Sequence, residues 1–236
     1  MKLFVCSDIH SYYNEMIVAL RNAGFEKNNP EHMLIVLGDC FDRGMQSRQV
    51  LKYLESVDNK VVTKGNHEAL LLEECERGYP SSYDNDNGTT QTICDLGYFE
   101  YYDMDFSEAC ERTLKRVKPF IDSMVNYYET EHYVFVHGWV PMLDNFRDAN
   151  QEQWNDATWM CGPEMAMHGC NNTGKIIVCG HWNSSYLWHI KKGSPEFGYG
   201  ACYDPYFMDD AIFIDTATAI SRRVNILVLE DELLEG

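Results

Sequence analysis

The sequence predicts an α/β fold. Short apolar, β-branched runs recur along the chain, and amphipathic stretches of helical period lie between the first three of them. Almost every run is also followed at once by a polar cluster: Asp8-Ile9-His10, Gly38-Asp39, Asp42-Arg43-Gly44, Gly65-Asn66-His67-Glu68, His137-Gly138 and Gly180-His181. Strand ends of a parallel-type sheet share one edge, so residues distant in the chain can meet there.

The first strand is expected over Lys2 to Ser7. The second, Met33 to Gly38, is continuously apolar through Met33-Leu34-Ile35-Val36-Leu37, as suits a strand buried on both faces. Lys60 to Lys64 gives a third. Before the second strand, Met16, Ile17, Leu20 and Ala23 recur at helical spacing and stop at Gly24. Val50, Leu51, Leu54 and Val57 repeat the pattern before the third. The resulting β-α-β-α-β order forces these strands to run parallel.

From about residue 70 to 130 the pattern changes to a helical and loop insertion. Cys110, Leu114, Val117, Ile121, Met124 and Tyr128 keep a helical stripe across Pro119, which predicts a kink there or a second helix beginning near it. Gly78 to Gly88 is polar and turn-forming and reads as a loop or lid beside the site. Further strands are expected at Tyr133 to His137, Ile176 to Gly180, Ala211 to Asp215 and Val224 to Leu229. The stretch from Asn145 to Thr173 reads as irregular; its Cys161, His168 and Cys170 lack the spacing of a zinc finger and read as loop packing. Glu230 to Gly236 reads as a solvated acidic tail. No linker divides the 236 residues, so one domain over 1–236 is expected.

With 19 basic against 37 acidic residues, the net charge of −18 disfavours nucleic acid or an anionic membrane as a partner. The start, Met1-Lys2-Leu3-Phe4-Val5, enters the first strand without a signal-like core, and no apolar run reaches membrane-spanning length. The nine cysteines are odd in number, with Cys6, Cys40 and Cys179 inside apolar runs. A reducing, cytoplasmic setting is the expectation. The sequence sets no oligomeric state.

Asp8 and His10 stand one residue apart just past a strand and can chelate one cation through oxygen and nitrogen. Asp39 has two carboxylate oxygens and can bridge two cations. Asn66 offers a neutral amide oxygen, His67 can move a proton near neutral pH, and His137 and His181 each adjoin a glycine that lets backbone come close. Taken singly, each has a plainer reading as a turn aspartate, a helix cap or a structural histidine. Their recurrence after five strands, always at the same end, favours a shared metal site.

In order and combination, Asp8-x-His10, Gly38-Asp39-x-x-Asp42-Arg43-Gly44, Gly65-Asn66-His67-Glu68, His137-Gly138 and Gly180-His181 resemble the calcineurin-like metallophosphoesterase superfamily. Within it, the resemblance is to the phosphoprotein phosphatase and diadenosine tetraphosphatase branch. It implies a four-layer α-β-β-α sandwich of two mixed sheets with two divalent or trivalent metal ions at the strand ends. Asp8, His10 and Asp39 would hold one ion; Asp39, Asn66, His137 and His181 the other. A hydroxide bridging the two would attack phosphorus directly, Arg43 would clamp the phosphate, and His67, oriented by Asp42, would protonate the leaving oxygen. The donor set suits manganese first, with iron or zinc as alternatives, and excludes copper(I) because it has no thiolate.

Two positions depart from the superfamily pattern. Asn183 replaces the second histidine of a Gly-His-x-His motif and is a further candidate ligand through its amide oxygen. Arg147 is the nearest candidate for a second phosphate-binding arginine, in a context that does not match. His189, eight residues past His181, reads as a surface or packing residue. The resemblance implies a phosphorylated substrate, with a serine/threonine-protein-phosphatase-like monoesterase favoured over a bis-nucleoside polyphosphate hydrolase, a phosphodiesterase or a noncatalytic scaffold. Tyr79, Tyr83, Trp139, Trp182, Tyr186 and Trp188 are candidates for a stacking wall beside a nucleobase.

Overall fold

The structure, a computed structural model, describes residues 1–97 and 105–233. Two mixed sheets form its centre. In the first, β1 (Lys2–Cys6), β2 (His32–Leu37) and β3 (Lys60–Thr63) run parallel and β9 (Leu227–Glu230) pairs antiparallel with β1, in the order β3-β2-β1-β9. In the second, β5 (Tyr133–Phe135), β6 (Ile176–Cys179) and β8 (Ala211–Phe213) are parallel. They are flanked by the antiparallel two-residue strands β4 (Tyr128–Glu129) and β7 (Tyr206–Phe207), in the order β4-β5-β6-β8-β7.

The period of two along each strand explains the packing. Leu3, Val5, Met33, Ile35 and Leu37 of the first sheet meet Phe135, Val178, Ile212 and Ile214 of the second in one apolar cluster. The alternate residues Phe4, Cys6, Leu34, Val36 and Val62 point away from it, to a cluster shared with helices α1 (Tyr13–Ala23), α2 (Ser47–Glu55), α3 (Asn66–Arg77), α5 (Thr89–Leu96) and α6 (Phe106–Asp122). On the second sheet Val134, Val136, Ile177, Cys179, Ala211 and Phe213 face away likewise, packing with residues of α7 (Gln151–Ala157), α8 (Gly162–Met167) and α9 (Ser184–Lys192). Each fully buried side chain of this size stabilises the fold by about 1.5–3 kcal/mol, so the strands read continuously apolar because both faces are covered.

Four expectations need correction. Gly78 to Gly88 is not a loop throughout: Ser82–Asn87 forms α4, whose start is fixed by Ser81 and Asp84. The Ser81 hydroxyl accepts the Asp84 N–H at 3.2 Å and the Asp84 carboxylate accepts the Ser81 N–H at 2.6 Å. Such reciprocal capping starts a helix without apolar periodicity. The segment from Asn145 to Thr173 holds a 3₁₀ turn at Phe146–Asp148 as well as α7 and α8, again with polar caps at Asn145 and Asn150. The helix through Pro119 is one element, α6, which ends at Asp122; Tyr128, the last residue of the expected stripe, belongs to β4. The acidic tail is not all solvated. Asp231 is buried, accepting the His132 N–H at 3.0 Å and its ring at 2.6 Å, and Leu233 bridges to Thr130. Glu230 itself closes β9, and a four-residue helix, α10 (Thr218–Ser221), precedes that strand.

Among the described residues, no helix is long and apolar enough to cross a membrane. All nine cysteines are unpaired, five of them buried.

Candidate active site

The parallel strands of both sheets deliver their following loops to one edge. β1 leads to Asp8 and His10, β2 to Asp39, β3 to Asn66 and His67, β5 to His137, β6 to His181 and β8 to Asp215. The loops turn back sharply. Asp8, His10, Asp39, Asp42, Arg43 and His181 all adopt the left-handed conformation, with φ between 49° and 71°. That geometry costs about 1–2 kcal/mol for a residue with a side chain, least for aspartate, and persists where surroundings over-determine it.

Asp39 is the centre of the cluster. Its Oδ1 lies 3.4 Å from His137 Nε2, and its Oδ2 lies 3.8 Å from His10 Nε2 and 3.9 Å from His67 Nε2. Asp8 Oδ1 stands 4.0 Å from His10 Nε2, Asn66 Oδ1 stands 2.9 Å from His137 Nε2, and the His137 and His181 rings are 5.0 Å apart. One group of possible ligand atoms comprises His10, Asp39 and His67, and another Asp39, His137 and His181. The sequence-named Asp8, His10, Asp39, Asn66, His137 and His181 are thus brought together, all but His181 nearly excluded from solvent.

Two rings are held in one tautomer. His10 Nδ1 donates to Phe41 O at 2.9 Å and His137 Nδ1 donates to Leu37 O at 2.7 Å, which turns both Nε2 atoms toward the carboxylates. Two motif glycines make room. A Cβ at Gly65 would stand 2.1 Å from Asp39 Oδ1, and one at Gly180 would stand 2.3 Å from Asp8 Oδ2. His67 differs: its Nδ1 donates to Asp42 Oδ2 at 2.8 Å, and Arg43 Nη2 lies 3.4 Å from its Nε2.

The electrostatics follow from burial and crowding. Burial pushes the Asp8 carboxyl up, against the pull of His137. Asp39 is also penalised by burial, but His137, His67 and His10 around it outweigh that and hold it below the usual carboxylate range. Burial, then repulsion from neighbouring imidazoles, drives His10 well down and His181 down to about 4, keeping both rings neutral. Burial opposes the charge on His67, yet Asp39 and the hydrogen bond to Asp42 raise it to about 9. His137 is raised in the same way by Asp39 and Asp8.

Several sequence candidates lie elsewhere. Asn183 caps α9 and turns its amide nitrogen to Ser185 Oγ at 2.7 Å, outside the cluster. Arg147 pairs with Glu129, while His189 is exposed and bonded to Ser194 O at 2.8 Å. Of the aromatic candidates, Tyr83 lines the pocket, Trp182 lies 6.3 Å from His181 and Tyr186 packs on Trp182; Trp139 is core, Trp188 packs on Tyr206, and Tyr79 is exposed beside Arg77.

Other residues went unread. Trp159, Asn87 and Asp215 line the same pocket, of about 130 Å³. Asp215 carried a signal, because it closes the apolar run from Ala211 just as the other carboxylates close theirs. Glu68 is buried and accepts the N–H groups of Asp39, Cys40 and Gly65 at 2.8–3.0 Å, fastening two loops of the site together. A wider groove of about 640 Å³ lies between α1 and Arg222–Ile226, and a third cation-capable group, Glu131, His132 and Asp231, sits at the opposite edge of the sheets. The first holds no histidine–carboxylate cluster and the second is mostly exposed, so the convergent chemistry lies in the smaller pocket.

Comparison with known proteins gives the family and the fold. Over 73 residues, 36% are identical to the symmetrical bis(5'-nucleosyl)-tetraphosphatase of Buchnera aphidicola subsp. Acyrthosiphon pisum (strain Tuc7), and 32% to that of Psychromonas ingrahamii. Those matches cover 30% of this chain and 26% of each relative. In fold, all of the chain superposes on 81% of a Saccharomyces cerevisiae protein serine/threonine phosphatase (TM-score 0.55, 15% identity). Likewise 97% of it superposes on 75% of a cold-active protein-tyrosine phosphatase from a psychrophilic Shewanella (TM-score 0.60, 18% identity). The profile of the calcineurin-like phosphoesterases matches residues 1–204, and with the two-sheet fold and the strand-end cluster this places the chain in that family.

Proposed function

We propose that the chain is a metal-dependent phosphoesterase acting on phosphate monoesters. One observation carries the reading: the two oxygens of a single buried carboxylate, Asp39, face different histidine groups, Oδ1 toward His137 and Oδ2 toward His10. The donors fit a pair of cations. His137 Nε2 confronts the oxygens of Asn66 and Asp39 while its Nδ1–H is spent on Leu37, an arrangement of facing lone pairs that a cation or a proton must relieve. His10 and His181 are held neutral, the form in which imidazole ligates.

Asp8, His10 and Asp39 would hold one ion, and Asp39, Asn66, His137 and His181 the second, manganese being the first choice for this mixed set and iron or zinc the alternatives. When bound, two such cations supply Lewis acidity toward phosphoryl oxygens and lower the pKa of water near neutral pH. The protein's own groups do the rest. Arg43 presents its guanidinium at the pocket wall, where its planar fork can take two phosphate oxygens. His67, fixed through Nδ1 by Asp42, has its Nε2 free to offer a proton to the departing oxygen. His67 also lies within reach of a cation beside His10, but its bond to Asp42 favours the acid role.

A bis-nucleoside polyphosphate is the second reading. It is favoured by the exposed Trp159 and Tyr83 on the pocket lining, which offer aromatic faces to a base, and by the named tetraphosphatase relatives. The test is hydrolysis by manganese-, iron- or zinc-reconstituted protein of a phosphopeptide, 4-nitrophenyl phosphate, diadenosine tetraphosphate and bis(4-nitrophenyl) phosphate. Turnover of the first two, with weak action on the diester, supports the monoesterase. Preference for the dinucleotide selects the second reading, and two bound metals without turnover of any substrate reject both.

A further inference from the structure

Asp42 and Arg43 are two consecutive residues in the left-handed conformation, and the segment that follows α3 holds both. The Asp42 N–H donates to Thr92 Oγ1 at 3.0 Å and the Arg43 N–H donates to Asn87 O at 3.0 Å. Gly88, at φ +80°, lets the turn between α4 and α5 come so close that a Cβ there would stand 2.6 Å from the Arg43 nitrogen. At the first position of α5, the Thr89 hydroxyl donates to Asp42 Oδ2 at 2.8 Å. That same oxygen accepts the ring N–H of His67, also at 2.8 Å. Asp42, Thr89 and Thr92 are fully buried, and Asp42 Oδ1 has no hydrogen-bond partner.

We infer that Thr89 is a positioning residue: its hydroxyl fixes which oxygen of Asp42, and in which plane, meets His67. With one oxygen doubly bonded and the other without a partner, the carboxylate has a single preferred rotation. Without the hydroxyl the two oxygens become equivalent toward His67, and the ring loses its fixed direction. This inference rests on the reading of His67 as the acid and Asp42 as its orienting partner. The helical segment after α3 then does more than flank the site, because it sets the geometry of proton delivery.

The experiment compares phenyl phosphate, a poor leaving group, with 4-nitrophenyl phosphate, a good one. Thr89→Val and Thr89→Ala both remove the hydroxyl, with different volumes, so an effect common to both belongs to the hydrogen bond. In metal-reconstituted protein, kcat on phenyl phosphate should fall roughly tenfold and on 4-nitrophenyl phosphate less than about twofold, with metal content unchanged. Thr89→Ser should restore both rates, and Thr89→Val should cost little more when added to His67→Asn. An equal loss on both esters in the Thr89 variants, or no rescue by serine, overturns the inference. An equal loss on both esters in His67→Asn instead overturns the reading beneath it. A second readout needs no turnover: in metal-free protein the ring Nδ1–H resonance of His67 should move in Thr89→Val and return in Thr89→Ser. A resonance that stays in place overturns the inference whatever the rates.

Discussion

Asp39 shows how one side chain comes to govern a site. Its carboxylate is almost wholly buried, is surrounded by His137, His67 and His10, and also accepts the His67 N–H at 3.0 Å. Asp39→Asn keeps the shape and one acceptor oxygen but removes the charge and one of the two oxygens. The expected outcome is loss of at least one equivalent of metal by elemental analysis, with kcat reduced a thousandfold or more, on the order of 4 kcal/mol. Retention of both metals and of rate would disprove the bridging role. Glu68 is the complementary case, a residue that does not line the pocket yet gathers three backbone N–H groups from the loops bearing Asp39 and Asn66. Burial, with Asp39 nearby, raises its carboxyl to about 7. The sequence shows Glu68 as the last letter of a motif, while its work is visible only once the two loops lie side by side.

Among the elements, α3 is tied to the rest of the helical layer by a group under strain. Glu74 is fully buried on α3; one oxygen accepts from Thr90 at 2.8 Å and the other has no partner. Burial lifts its carboxyl from 4.5 to about 7. A carboxyl raised on folding favours the native state only while protonated, so its contribution is retained below about pH 4.5 and lost as pH rises through 7. Glu74→Gln should therefore be more stable than the parent at pH 8, by about 1–2 kcal/mol, with the difference shrinking toward pH 5. Urea unfolding at the two pH values measures this, and a gap independent of pH would refute it. The elements also mark where sequence reading stops. β1, β2, β3, β5, β6 and β8 were legible because an apolar run buried on two faces is a strong signal, and the catalytic candidates were legible because they sit at the ends of those runs. α4 and α7 begin at polar caps, α8 begins after Cys161 with Pro163 in its first turn, and all three are too short to carry much periodicity, while β4 and β7 are two residues long. Trp159 could not be singled out because its place in the pocket depends on α7 and α8, and Thr89 because its partner lies 47 residues away.

At the scale of the whole molecule, the site gathers Asp8, Asp39 and Asn66 from loops of the first sheet and His137 and His181 from loops of the second. Ligands that bind this arrangement and not the unfolded chain stabilise it by mass action, about 3–4 kcal/mol at a hundred- to thousandfold excess over Kd. Chelation should thus lower Tm by on the order of 10 °C for a chain of this size. Calorimetry with and without chelator checks it, and an unchanged Tm would show that no cation links the sheets. At the opposite edge the sheets are tied by the protein itself: Asp231 accepts from His132, the Glu131 N–H donates to Glu232 O, and Leu233 bridges to Thr130. The molecule is therefore clasped at the rear by the residues that follow β9, and at the front the His137 ring donating to Leu37 O at 2.7 Å and the His181 N–H donating to Asp8 Oδ2 at 2.9 Å join the same two sheets. Both front ties run through residues of the polar cluster itself, so a substitution at His137 or Asp8 should loosen the seam between the sheets as well as the pocket.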